Sequence, residues 1–308
     1  MYDVIIIGGG PAAAGAAVYT ARKKLRTLLI TESFGGQSVV SADVQNWIGT
    51  KSISGFDLAQ ALEAHVRNFP DDIEVKSPEL AVKADKIEGG FAIETNKNAI
   101  YEGKTLIIAS GARRRKLGVP GEKELDGRGV AYCATCDAPL FAGKDVAVVG
   151  GGNAGLESVI DLFPYAKHIY LLEYSSALKG DPITQEKIKH SEKVTIIYNA
   201  GVLAILGEKF MTGLKYKDLI SGEEKELPVG GVFVEIGSLP NSDFIKDMVE
   251  TNNIGEIVIN HKTSATSTAG IWAAGDVTDE MYKQNNISAG DGVKAALSAY
   301  NYLISRRA

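Results

Sequence analysis

The sequence predicts an α/β chain of two doubly wound units, one inserted into the other, and three observations lead there. A glycine turn, Gly8-Gly-Gly10-Pro-Ala-Ala13, follows an apolar run near the N-terminus, and another, Gly150-Gly-Gly152-Asn-Ala-Gly155, follows an apolar run in mid-chain. Each turn opens a helix-like stretch that leads to a further apolar strand closed by a carboxylate. Between the turns lies Cys133-Ala-Thr-Cys136-Asp137, which holds both cysteines of the chain.

In the first unit, Tyr2 to Ile7 reads as a strand. Gly8 supplies the tight turn, Gly10 the close backbone approach and Ala13 the helix–strand contact. Ala12 to Lys24 is Ala-rich and helical, Arg26 to Thr31 is the second strand, and Glu32 follows its end. Strand, turn, helix, strand and acid in that order are Rossmann-like: a pyrophosphate sits at the helix N-terminus and the acid accepts from a ribose hydroxyl. The alternative is a glycine-rich turn of some other doubly wound fold.

The second unit repeats the plan. Asp145 to Val149 is a strand, Gly150, Gly152 and Gly155 form the turn, and Ala154 to Phe163 is helical. Pro164 stops that helix. Lys167 to Leu172 is the next strand, with Glu173 at its end. Two such units imply two dinucleotide ligands.

Two further apolar strands flank the second unit. Leu106 to Ala109 runs into Ser110-Gly-Ala112, and Gly231 to Ile236 runs into Gly237-Ser-Leu-Pro240-Asn241. Both read as crossovers, so residues 1–112 and 242–308 are expected to form an outer domain and 113–241 an inserted one. Near the C-terminus, Gly270 to Asp276 gives a short strand, a glycine and a carboxylate, and Ser288 to Ser305 a closing helix.

Composition sets the bounds. A chain of 308 residues can hold two domains with separate cores, and 45% hydrophobic with 23% charged content is that of a globular protein. Thirty-three Lys plus Arg against 38 Asp plus Glu give a net charge of −5, which argues against general nucleic-acid binding. Arg113-Arg-Arg-Lys116 is a local patch only. No apolar stretch approaches the ~20 residues that span a bilayer. Val4 to Ile7 has Asp3 before it and a glycine turn after it, which suits a buried strand and not a secretory signal. The expected location is therefore the cytoplasm, where a cysteine pair is redox-active sooner than structural. Two intervening residues let both sulfurs close one small disulfide, and a nearby charge or helix start stabilises a thiolate. A structural zinc needs four ligands, and His65, His168, His190 and His261 are scattered singly, so no metal is expected.

Taken in order, these motifs together with Phe34-Gly-Gly-Gln37 and Ala274-Gly-Asp276 resemble the low-molecular-weight thioredoxin reductases over essentially the whole chain. Within that family the sequence is similar to the catalytic part of the flavoprotein subunit of alkyl hydroperoxide reductase, through Phe34-Gly-Gly-Gln37, Leu171-Leu-Glu173 and Tyr282-Lys-Gln284. The resemblance implies FAD in the outer domain, contacted by Gly8, Gly10, Ala13, Glu32, Gly36, Gln37, Asn46, Gly275, Asp276 and Gln284. It implies a nicotinamide dinucleotide in the inserted domain, contacted by Gly150, Gly152, Asn153, Gly155 and Glu173. Cys136 would face the flavin, Cys133 would attack a protein disulfide, and Asp137 would handle the thiol proton. The rival reading of Asp137 is a helix cap. The family also implies a homodimer and an inserted domain that swivels about 112–116 and 240–243.

Cofactor choice is argued locally. Glu173 and the base-free stretch Tyr174-Ser-Ser-Ala-Leu178 favour NADH over NADPH, because a 2′-phosphate wants Arg or Lys there. The related flavoprotein subunit carries an additional thioredoxin-like domain with its own dithiol, and this sequence holds no third cysteine. Electrons are thus expected to leave to a separate thioredoxin- or glutaredoxin-like carrier, or less readily to a peroxiredoxin directly. Arg113, Arg114, Arg115 and Arg128 are either a docking patch for an acidic carrier or solvated surface. Rival functions are a same-fold flavin enzyme acting on ferredoxin or oxygen, whose family lacks the cysteine pair, and a flavin-binding redox sensor.

Overall fold

A computed structural model describes residues 1–41 and 44–306. In chain order the elements begin with β1 (Tyr2–Ile7), α1 (Pro11–Arg22), β2 (Thr27–Ile30), α2 (Gly55–Arg67), β3 (Ile73–Lys76), β4 (Ala81–Ile87), β5 (Gly90–Thr95), β6 (Ile100–Ile108) and β7 (Ala112–Arg114). There follow β8 (Val130–Ala131), α3 (Ala134–Asp137), β9 (Asp145–Val149), α4 (Asn153–Leu162), β10 (His168–Leu172), α5 (Pro182–Lys189) and β11 (Val194–Ile197). The chain continues through β12 (Ala200–Gly207), β13 (Met211–Asp218), β14 (Glu224–Leu227), β15 (Val232–Val234), β16 (Ser238–Pro240), β17 (Ile271–Ala273) and α6 (Asn285–Ser305). It divides into two compact units, Met1–Arg113 with Leu239–Ala308, and Arg114–Ser238. The crossover strands β7 and β16 pair with each other.

The outer unit is built on a seven-stranded sheet in the order β3-β2-β1-β6-β5-β4, with β17 also on β6. Its heart is parallel: Ile6 of β1 lies opposite Leu29 of β2 and Ile107 of β6, and Ile107 opposite Trp272 of β17. A parallel strand is covered on both faces, which is why β1 reads as an unbroken apolar run. Val4 and Ile6 join the core with α1 and α6, while Ile5 and Ile7 join the opposite core with Ile93, Ile245 and Ile257. Full burial of each such side chain contributes about 1.5–3 kcal/mol. The Ala-rich α1 permits a close crossing with α6: a Cβ on Gly292 would lie 2.0 Å from the Ala12 carbonyl oxygen.

The inserted unit has a five-stranded parallel sheet, β11-β10-β9-β15-β8, and an antiparallel meander, β12-β13-β14. Val148 of β9 pairs with Leu171 of β10 and Phe233 of β15, and all three are buried. The fold is thus α/β with two Rossmann-type sheets. Among the described residues, no helix is long and apolar enough to cross a membrane.

Candidate functional site

In the outer unit the first turn is forced open by sterics. Gly8 has φ +129°, and a Cβ there would lie 2.1 Å from the Ala109 carbonyl oxygen, so only glycine fits. Gly10 caps α1 and faces Gly36, whose own φ is +63°. A Cβ on Gly10 would meet only the Gly36 Cα within 4 Å, at 3.9 Å, so room remains in front of the helix. Ala13 is buried one turn below. Around this mouth, residues far apart in sequence meet. Gln37 Nε2 donates to Asp276 Oδ2 at 2.9 Å, and Asn46 Nδ2 donates to Gln284 Oε1 at 3.3 Å. Ser288 Oγ donates to Asp276 Oδ1 at 3.2 Å, and Asn285 Nδ2 to Ser38 Oγ at 2.9 Å. Gly275, at φ +74°, brings Asp276 under α6: its Cβ would lie 3.0 Å from that of Ala12. Gln284 is the N-cap residue of the 21-residue α6. Glu32 stands exposed at the end of β2, apart from that network. A glycine-lined cradle ringed by amide and carboxylate groups at two helix starts fits a flavin dinucleotide.

The inserted unit's turn follows the same sterics with a different acid. Gly150 has φ +120° and would place a Cβ 2.3 Å from the Glu235 carbonyl oxygen. Gly152 caps α4, and a Cβ there would meet nothing within 4 Å, which leaves an open cradle at a helix start. A Cβ on Gly155 would lie 1.7 Å from the Gly150 carbonyl oxygen. Asn153 accepts from the Asp181 N–H at 2.7 Å. Glu173 is 6% exposed and is held by the chain itself. It accepts from the Gly151 N–H at 2.7 Å, from the Ser175 N–H at 2.8 Å, and from the Ser175 hydroxyl. Burial pushes its pKa up, but the Ser175 and Gly151 donors outweigh that and hold the carboxyl below its ordinary range.

Cys133 and Cys136 form a disulfide, across the single turn of α3. The Asp137 N–H donates to the Cys133 carbonyl at 3.0 Å. As N-cap of the 3₁₀ turn that follows, Asp137 makes no side-chain capping bond. Thr135 Oγ1 donates to Asp161 Oδ2 at 2.6 Å and so ties the dithiol turn to α4, whose first residues carry the glycine turn.

Several neighbours were not singled out from sequence. Ser175 and Lys179 flank Glu173, and the Lys179 ammonium helps to lower its pKa. Lys179 lies one residue beyond the base-free stretch Tyr174 to Leu178. Glu235, 8% exposed, accepts from Ser158 Oγ at 2.9 Å. A charged residue closing the apolar run Val232-Phe-Val is the signal that marks it. Two of the four arginines considered for docking are engaged within their own units. Arg113 donates to Asn241 Oδ1 at 2.8 Å, and the half-buried Arg114 acts electrostatically on Glu235. Arg115 and Arg128 are exposed.

Comparison with known proteins places the chain in a family. The chain is 45% identical over 303 residues to an "NADH dehydrogenase" of Bacillus subtilis and to an alkyl hydroperoxide reductase subunit of Staphylococcus aureus. In both cases the match takes in 98% of this chain and 59% of the relative, so the chain spans about three-fifths of their length. The solved thioredoxin reductase of Streptococcus pyogenes superposes with a TM-score of 0.91 at 34% identity, over 99% of each chain. The model of the pyridine nucleotide-disulphide oxidoreductases matches residues 2–294, and the chain belongs to that family.

Proposed function

We propose that this chain is an FAD-dependent disulfide reductase that takes electrons from NADH and passes them, through the Cys133–Cys136 disulfide, to a separate thioredoxin- or glutaredoxin-like carrier. The observation that carries the reading is the disulfide itself, which falls in the sequence between two glycine turns that each open a helix. Gly10, Gly36, Gln37, Asn46, Asp276 and Gln284 would hold the FAD, and Gly152, Asn153 and Gly155 the nicotinamide dinucleotide. When bound, FAD supplies the acceptor for a nicotinamide hydride and relays the electron pair.

The residues of the chain do the rest. The electron pair breaks the Cys133–Cys136 bond, and the resulting thiolate of Cys133 attacks the carrier's disulfide to form a mixed disulfide, which Cys136 resolves. Asp137, next to Cys136, holds or releases the proton at the cysteine sulfurs. NADH is preferred because the 174–178 segment carries no cation; Lys179, just beyond it, is a cation that would attract a 2′-phosphate. A homodimer is part of the proposal by likeness to the family.

Anaerobic titration tests it. The holoenzyme should take up two electron pairs from NADH, one into flavin and one into the disulfide. Cys133→Ser should cut the uptake to one pair and abolish carrier reduction while flavin still bleaches. Carrier reduction that survives Cys133→Ser rejects the reading.

A further inference from the structure

Glu235 is a buried carboxylate that the proposed chemistry does not use. It follows β15, its N–H donates to the Val149 carbonyl at 2.8 Å, and its own carbonyl oxygen packs against Gly150. Its side chain accepts from Ser158 Oγ. Strand β15 pairs with β8 with Phe233 opposite Ala131, so Glu235 and Cys133 each follow two residues beyond a paired position. The Ala134 peptide beside Cys133 favours the Glu235 anion. One residue therefore adjoins the nucleotide turn with its backbone and the dithiol turn with its side chain. The charged groups facing it are Arg114 from β7, which favours the anion, and Asp161 from α4, which disfavours it. Burial outweighs Arg114 and Ser158 and pushes the carboxyl up to about 7. Ionising Glu235 therefore works against the fold as pH rises from the ordinary carboxylate range towards 7.

A buried anion beside the dithiol turn and a thiolate at Cys133 or Cys136 repel each other. Whichever forms first makes the other harder to form. We infer that Glu235 is a positioning residue for the dithiol: it takes up a proton as the disulfide is reduced and surrenders it as the disulfide re-forms, which lets one sulfur persist as thiolate. This rests on the reductase reading above. In reduction the sulfur–sulfur bond breaks, and a hydride equivalent from the nicotinamide donor enters with one proton. Disulfide and Glu235 carboxylate become one thiol, one thiolate and a neutral Glu235, with total charge conserved. In reoxidation the carrier's disulfide accepts the electron pair, and the thiol proton and the Glu235 proton end on its two sulfurs.

The test is the pH profile of cysteine alkylation in the full holoprotein, reduced with dithiothreitol, desalted and treated with iodoacetamide between pH 5 and 9, with mass spectrometry as readout. Two coupled groups titrate in two macroscopic steps. Wild type should show both steps. Glu235→Gln should show one, moved to lower pH. A tenfold rise in thiolate fraction, partly offset by weaker nucleophilicity, gives about threefold faster alkylation near pH 6.5. Glu235→Asp should restore both steps. Ser158→Ala removes a donor to the anion and should move the carboxylate step upward; should Glu235→Gln fail to fold, this variant decides. Superimposable profiles for wild type and Glu235→Gln, or an unmoved profile in Ser158→Ala, overturn the inference. Because dithiothreitol replaces NADH, loss of NADH-driven reduction with an intact two-step profile counts against the reductase reading and not against Glu235.

Discussion

The two glycine turns start from the same geometry and end in different chemistry. Gly8 and Gly150 share a left-handed backbone, φ +129° and +120°, and each would drive a Cβ into the carbonyl of the strand beside it. Gly10 and Gly152 cap their helices with nearly identical angles, φ −80° and −86°. The third position and the acid differ. Ala13 fits in the outer unit, whereas Gly155 approaches the Gly150 carbonyl so closely that no Cβ fits. Glu32 is exposed, but Glu173 is folded into its own turn and bonded to Gly151. In the outer unit the corresponding loop is closed by Thr31, whose hydroxyl donates to the Ser33 carbonyl at 2.7 Å, which leaves Glu32 at liberty. A shared plan thus hides two divisions of labour: one acid stands exposed, the other holds its own glycine turn in shape.

The largest expected effect comes from exchanging the third positions. Gly155→Ala asks the α4 backbone to retreat from a contact of 1.7 Å, and overpacking of that severity costs about 3 kcal/mol or more. Ala13→Gly removes one buried methyl and adds helix entropy, about 1–2 kcal/mol together. Thermal unfolding of the two variants should therefore show the inserted unit losing more than the outer one. Equal losses would mean that α4 has slack the geometry denies, and the turns would be more alike than they look.

A smaller effect separates the acids. Glu173→Gln exchanges charge-assisted bonds for neutral ones and should cost about 1.5–3 kcal/mol. Glu32→Gln should leave stability within about 0.5 kcal/mol, as for an exposed site, while loosening flavin retention. The pH dependence has a definite sign. Because Glu173 is held below the ordinary carboxylate range, its contribution is present above that range and fades as pH falls through the lowered value. Urea midpoints across acid pH should fade so in wild type and not in Glu173→Gln. If Glu32→Gln is the more damaging to stability, the contrast drawn above is reversed.

How far such contrasts were readable beforehand depends on the range of the interaction. The strands β1 and β9 were legible to the residue because burial on both faces demands a solid apolar run. Of β6, only the last residues and Ala109 just beyond were read as strand. Its first half alternates exposed and covered residues against β5, so Ile100 to Lys104 carries no continuous apolar signal. The meander β12-β13-β14 escaped for the same reason, with Lys215 and Lys217 alternating against Leu214 and Tyr216. Helix α6 starts at Asn285, three residues before the expected Ser288, because its first turn is polar where it meets Ser38 and Asn46. Residue types at Gln37, Asn46, Asp276 and Gln284 were recoverable only through family resemblance, since nothing local says that Gln37 reaches Asp276. Glu235 carries no local signal of its partner inside the strand Gly231 to Ile236, because Ser158 lies far away in sequence.

The subtlest difference between the turns is the cation beside the inner acid. No lysine or arginine lies between Glu173 and Leu178, yet Lys179 is near enough to lower the Glu173 pKa, and its N–H donates to the Gly151 carbonyl at 2.8 Å. Its ammonium therefore lies beside Glu173, the acid that ends β10, and would draw a 2′-phosphate that the buried carboxylate repels. An exposed lysine partnering a phosphate contributes about 1 kcal/mol or less, a factor of about five. Lys179→Ala should leave kcat/KM for NADH within about twofold and lower that for NADPH by about fivefold, which would widen the proposed preference for NADH. Steady-state rates with both cofactors measure this directly. Should Lys179→Ala leave the NADPH rate untouched, the lysine serves only the Gly151–Glu173 turn, and cofactor choice rests on the acid alone.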